Sequence, residues 1–378
     1  MLDHLKDLLT EIHERNQSDE VLVHEEEFLL QLQQLSSWEK ICIGKQLYAC
    51  EWQVGSPHLM SLLQQEGLFN VCLYLSNLDS ANEADNILND LLEVEHSLLA
   101  EVVLSAGIES PQTEKLVCLL ERCCENALKD LLANPSLKIP NYLHCLEAFL
   151  RDADLQQFRD MHLTILTSIH ESKIVHALKS QKCWISEDAL VRNSSLEELL
   201  RQMIKKPRQS LDLLLKLMTK TNFSGWKFFL AVINMIVRTA SQEDYLHFKK
   251  YLEGFFWKAC SARSEHQFQI FLLLARETSY AFGERKKATY LAWYKATISQ
   301  MTYKLQPEDF KIILSFLADL ARLEEDMDFL DVHINSAVPA PPRCNELVLD
   351  FKQLTRIRHC ELLPLNECTQ EDCVVFID

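Results

Sequence analysis

The sequence predicts an all-α protein: an irregular α-solenoid, or helical-repeat-like array, of about eighteen helices ending in a short extended C-terminal tail. Three observations carry that reading. Gly and Pro, which punctuate helices and make tight turns, number only 7 and 10 among 378 residues. No Asn-Gly or Asp-Gly pair lies between alternating strands, so the strongest hairpin signal is missing. Apolar residues recur at spacings of three and four behind helix-start signals. With 48% hydrophobic and 25% charged residues, the chain has the composition of a globular core and not of a disordered segment.

Taken in order, Leu2, Leu5, Leu8, Leu9 and Ile12 form one apolar face of a first helix. Ser36-Ser37-Trp38-Glu39 is a capping box, in which the Ser oxygen and the Glu carboxylate satisfy each other's free amides; the helix behind it is expected from Trp38 to about Trp52. Ser56-Pro57 and Ser110-Pro111 place Ser at the cap and Pro at the first helical position. Ser80-Ala81-Asn82-Glu83 and Ser241-Gln242-Glu243-Asp244 are further starts. The apolar run Phe228 to Val237 falls short of the ~20 residues a bilayer span needs and reads as a core helix. Gln306-Pro307-Glu308-Asp309 opens a helix whose buried face is Phe310, Ile313, Leu314 and Leu317. No fixed repeat period or tetratricopeptide, ankyrin or leucine-rich consensus appears, and a compact helical bundle is the alternative to a solenoid.

Charge divides the chain. Residues 1–200 hold 14 Lys+Arg against 33 Asp+Glu, a net −19; residues 201–304 hold 18 against 7, a net +11; residues 305–378 hold 6 against 15, a net −9. Three segments are expected on this ground: an acidic helical subdomain over 1–192, a basic one over 193–336 continuous with it, and a linker and tail over 337–378. The last break is marked by Pro339, Pro341 and Pro342, which cannot continue a helix. Beyond it a short apolar segment, Leu347 to Leu354, precedes a tail of weak periodicity. A basic middle between acidic arms is read either as intramolecular complementarity or as a face for nucleic acid or an acidic partner.

The 13 Cys fall mostly in apolar periodic stretches, as at Cys72, Cys145 and Cys260, and no apolar leader stands at the N-terminus. Reduced thiols in a nuclear or cytoplasmic protein are expected, with no membrane association. Catalytic signatures are lacking: Ile43-Gly44-Lys45-Gln46 misses the first Gly and the Ser/Thr of a phosphate loop, and His24-Glu25-Glu26-Glu27-Phe28 lacks a zincin's second His. Cys344, His359, Cys360, Cys368 and Cys373 are the most metal-like group but contain no close Cys pair. The chain is therefore expected to be no enzyme and to carry no cofactor and no metal.

Binding signals remain. Lys205-Lys206-Pro207-Arg208 sits where Pro207 interrupts a helix, which favours an exposed corner and fits a minimal nuclear-import signal. Arg285-Lys286-Lys287 begins a later helix and is a candidate to join Lys205, Lys206 and Arg208 on one basic face. Trp226, Trp257, Tyr290, Trp293 and Tyr294 lie nearby; at helical spacing such aromatics are usually core, although aromatics among basic residues also stack on bases. At the end, Val374, Val375, Phe376 and Ile377 form a β-prone run between Glu371-Asp372 and Asp378. A peptide of this kind adds a strand to a partner's sheet edge, in the pattern of a SUMO-interacting motif, or folds back on the body.

The stretch Leu35-Ser36-Ser37-Trp38-Glu39-Lys40-Ile41-Cys42-Ile43-Gly44-Lys45, the all-helical body and the Val-Val-Phe-Ile-Asp end resemble, over essentially the whole chain, the C-terminal Nse-five-like helical domain of the SUMO-interacting-motifs-containing family. The resemblance implies a scaffold subunit. It would pair with an Nse-six-like helical localisation factor and recruit or regulate the SMC five-six genome-maintenance complex. A binding role toward a calpain-type protease, and contact with SUMO, are also associated with that family. The residues by themselves leave a second alternative, a helical nucleic-acid-binding module built on 201–304.

Overall fold

Helices begin where a short polar side chain can accept the first free amides. In this computed structural model, which describes residues 2–14, 20–52, 54, 56–108, 113–134, 137, 141–187, 194–220 and 222–363, the Ser side chains at 36, 56, 80, 241 and 264 each accept the backbone N–H three residues on. At Ser36 the Glu39 carboxylate returns the bond and completes the capping box. Pro57, Pro207 and Pro307 each occupy the first helical turn, where a missing N–H costs nothing. The Ser110-Pro111 start lies outside the described residues.

The helices are α1 (Leu2–Glu14), α2 (Glu20–Gln33), α3 (Ser37–Tyr48), α4 (Pro57–Gln65), α5 (Val71–Asn77), α6 (Ala81–Glu93), α7 (His96–Ala106), α8 (Glu114–Ala133), α9 (Tyr142–Cys145) and α10 (Asp152–Ser168). They continue as α11 (Ile174–Glu187), α12 (Ser194–Met203), α13 (Pro207–Leu217), α14 (Trp226–Thr239), α15 (Gln242–Ser261), α16 (Glu265–Tyr280), α17 (Lys286–Ala296), α18 (Met301–Lys304), α19 (Pro307–Ala321), α20 (Met327–Asn335) and α21 (Asn345–Leu362). Short 3₁₀ turns join some of them, and no strand occurs among the described residues. The all-α, helical-repeat-like fold is thus as expected. α3 stops at Tyr48, earlier than the expected Trp52, because Cys50 turns into the left-handed region at φ 54°.

The chain forms two compact units. Unit 1 holds residues 1–165 together with 193–203, and unit 2 holds 166–192 together with 204–378. In unit 1, α5, α6, α7 and α8 pack around Leu75, Leu88, Leu91, Leu99 and Leu128, all buried, and α12 returns to lie on α8 and α9. Tyr74 is buried with its hydroxyl accepting the Val54 N–H at 3.3 Å. His162 is wholly enclosed: Nδ1 meets the Phe158 carbonyl at 2.8 Å and Nε2 the Tyr142 hydroxyl at 2.6 Å. Burial pushes this imidazole down to about 4, so it is neutral, donates from Nδ1 and accepts from the tyrosine.

Unit 2 is built on α16, which is buried at every residue from Phe268 to Ser279 and is covered by α11, α14, α15, α17 and α19. The apolar run Phe228 to Val237 is the interior of α14, as its composition suggests. Trp226, Tyr290, Trp293 and Tyr294 all lie in this core. The segment after the Pro-rich break differs from the expectation. It is no short apolar stretch but the eighteen-residue helix α21, packed on α19 and α20. Its sequence hides this because only Phe351 and Thr355 within the helix are buried. Lys352 supplies the fastening, since its ammonium donates to the carbonyls of His333, Ile334 and Ser336 at the end of α20.

Candidate functional site

The structure gives the basic residues that the sequence groups together different surroundings. Lys205 and Lys206 stand just before α13, with Lys205 and Arg208 exposed, so the corner expected at Pro207 is present. Arg285 is exposed on the turn before α17. Lys286 and Lys287 belong to acidic partners of α20: Lys286 meets Asp326 at 3.0 Å and Asp328 at 2.9 Å, and Lys287 meets Asp331 at 2.6 Å. This is intramolecular complementarity between the basic middle and the acidic third segment. The tail residues Val374, Val375, Phe376 and Ile377 lie outside the described residues, as do Cys368 and Cys373. Cys344 is buried, and His359 faces Asp331 at 3.0 Å. Among the described residues no group of His, Cys, Asp and Glu is placed to hold a metal ion, the cysteines are unbridged, and no helix is long and apolar enough to cross a membrane.

Sequence reasoning missed a dense polar constellation in the heart of unit 2. Arg276 and Glu324 form an ion pair at 2.5 Å with both side chains buried, and Arg276 also donates to the Leu178 carbonyl at 3.1 Å. Glu324 accepts the N–H groups of Glu325 and Asp326 at 3.0 Å each. Asp326 accepts the Tyr280 hydroxyl at 2.8 Å; burial pushes its carboxyl up, but the Tyr280 and Lys286 hydrogen bonds outweigh this and hold it below the usual range. Next to Arg276 in sequence, Glu277 is enclosed between α11 and α14, accepting Gln181 Nε2 at 2.7 Å and Asn234 Nδ2 at 2.8 Å. Burial lifts it to about 7 against the downward pull of those two amides. Chemically the cluster is a clamp. Its charges are turned on one another, and breaking one partner of such a pair leaves the other buried and uncompensated, at roughly 3–5 kcal/mol. The signal in the sequence was a charged pair, Arg276-Glu277, directly behind the apolar run Ile270 to Ala275.

The outer surfaces offer a different kind of site. On α3, Ile43, Gly44 and Leu47 face the interior, which leaves Trp38 and Ile41, one turn apart, pointing outward with 69% and 51% of their surfaces in solvent. Lys40 beside them is tied to Glu66 at 3.6 Å. Leu73, on the neighbouring α5, is exposed too. An exposed Trp is costly to leave in water, and Trp is among the commonest anchors of protein interfaces. The capping box that orients α3 also fixes the direction in which Trp38 projects.

Among known families, the model described as Fanconi anaemia group A protein N terminus matches residues 30–363. No curated protein and no solved structure matches the chain.

Proposed function

We propose that this chain, which belongs to the Fanconi anaemia group A protein N-terminus family, is a non-enzymatic scaffold that docks a second helical protein on the α3 face of unit 1. The observation that carries the proposal is the outward Trp38–Ile41 pair on a helix whose opposite face is fully buried. Burying both side chains is worth about 1.5–3 kcal/mol each, enough to seed an interface but not to complete one of the ~1,200–2,000 Å² that stable complexes bury. The enclosure of the Arg276–Glu324 and Glu277 groups supports a structural rather than a chemical use of the polar core. The resemblance to Nse-five-like domains supplies the candidate partner, an Nse-six-like helical localisation factor of the SMC five-six genome-maintenance complex.

Co-expression of the chain with that partner is the test. Copurification is expected, and Trp38→Glu combined with Ile41→Glu should abolish it while leaving the helical circular dichroism unchanged. Failure of the unaltered chain to copurify would remove the Nse-six-like partner; copurification that survives both substitutions would remove α3 as the docking face.

A further inference from the structure

The excess of cations in residues 201–304 is not spent evenly. Arg263, Arg276, Lys286 and Lys287 answer carboxylates of α19, α20 and the turn before α20. Lys250 and Lys258 of α15 are exposed, and no carboxylate among the described residues forms an ion pair with either. Eight residues apart, they stand on one face of the helix about 12 Å apart along its axis. Half-buried aromatic side chains of α15 flank them. Tyr251 and Phe255 stack at 6.1 Å with planes only 16° apart. Trp257 carries the Lys304 ammonium 4.3 Å above its ring, and Tyr303 next to that lysine is 72% exposed. A Cβ built on Gly254, midway along the face, would meet nothing within 4 Å, so the surface there is open. Carboxylates lie near it: Glu253 is held by Lys249 at 4.0 Å, and the charge of Asp212 on α13 adds to the burial that raises the Tyr251 hydroxyl.

We infer that this face of α15, with Lys250, Tyr251, Phe255, Trp257, Lys258 and Lys304, binds single-stranded nucleic acid without sequence preference. Ammonium groups at this spacing meet every second phosphate of an extended strand, and the half-buried rings beside them offer stacking surface to unpaired bases. An acidic protein segment would use the lysines but has no need of the aromatic platforms, which is why the nucleic acid is the better fit. The inference is independent of the docking face on α3.

The test is fluorescence anisotropy of a labelled oligo(dT) with the full chain over a series of NaCl concentrations. With about three phosphates neutralised, the logarithm of affinity should fall against log salt with a slope near −2. Lys250→Glu with Lys258→Glu should weaken binding roughly tenfold or more and flatten that slope. Phe255→Leu and Trp257→Leu, which keep apolar bulk but remove the ring, should each weaken binding about fivefold or more with the slope unchanged. Lys129→Glu in unit 1 is the charge control and should bind as the unaltered chain does. Absence of salt-dependent binding, or a double charge reversal without effect, overturns the inference. So does displacement by polyglutamate as effective per charge as by oligo(dT), combined with Leu variants that bind normally; that result would assign the face to an acidic protein.

Discussion

At the scale of single residues, buried polar groups govern how unit 2 responds to its surroundings. Glu277 is the clearest case. Two amides donate to its two oxygens, an arrangement suited to the ionised form, yet desolvation prevails and lifts the carboxyl from 4.5 to about 7. A raised folded-state value means that the folded chain holds this proton more tightly than the unfolded one. The corresponding stability is complete below pH 4.5 and is lost as the pH climbs through 7, by roughly 3 kcal/mol at most. Glu277→Gln removes the titration, and the new side chain's Oε1 can still accept from the Gln181 or the Asn234 amide. Urea denaturation from pH 5.5 to 8.5 should show the unaltered chain weakening with rising pH and the variant much less so. Parallel curves would refute this account.

At the scale of elements, close approach decides what a sequence position tolerates. Gly225, at the start of α14, has an ordinary φ of −78°, so its backbone conformation does not demand glycine. Space does: a Cβ there would fall 1.7 Å from the Thr167 carbonyl oxygen at the end of α10. Gly225→Ala must push backbone against backbone and should cost about 1–3 kcal/mol, the usual scale of overpacking. Gly254→Ala is the opposite case, an exposed mid-helix glycine with empty space above it, and should stabilise by up to ~1 kcal/mol through helix propensity alone. Urea midpoints moving in opposite directions are the expected result; a neutral Gly225→Ala would show that α14 and α10 can part without penalty. Both glycines look alike in the sequence, and the neighbour that distinguishes them lies 58 residues from Gly225 along the chain.

At the scale of the molecule, exposed apolar surface predicts behaviour in solution. If Trp38 and Ile41 await a partner, the chain alone will satisfy them weakly with copies of itself. Trp38 and Ile41 of both copies, four side chains, contribute about 6–12 kcal/mol before the cost of association of about 4–15 kcal/mol, which allows an equilibrium in the millimolar range at best. Light scattering should show a mass that rises with concentration. Trp38→Ser combined with Ile41→Ser should return it to the monomer value. A mass independent of concentration in the unaltered chain would remove the premise that this face is adhesive.

Much of the fold was legible from the sequence because its causes are local. Scarce Gly and Pro, Ser caps three residues ahead of their acceptors, and apolar spacing along Phe310, Ile313, Leu314 and Leu317 each act within a turn or two of helix, and the structure places these caps and this face accordingly. α21 escaped notice because its hold on unit 2 runs through two buried residues and the polar ends of Lys352, Arg358 and His359, a signal that apolar periodicity does not register. The candidate sites were legible only as composition. The sequence by itself determined that the chain is helical and that its middle is basic. Only the tertiary structure decided that Lys286 and Lys287 answer the acids of α20, that Arg276 finds Glu324, and that Lys250 and Lys258 meet no carboxylate among the described residues. The physical reason is that helix formation depends on neighbours a few residues away, whereas the fate of a charge depends on which distant carboxylate the packing of helices brings within reach.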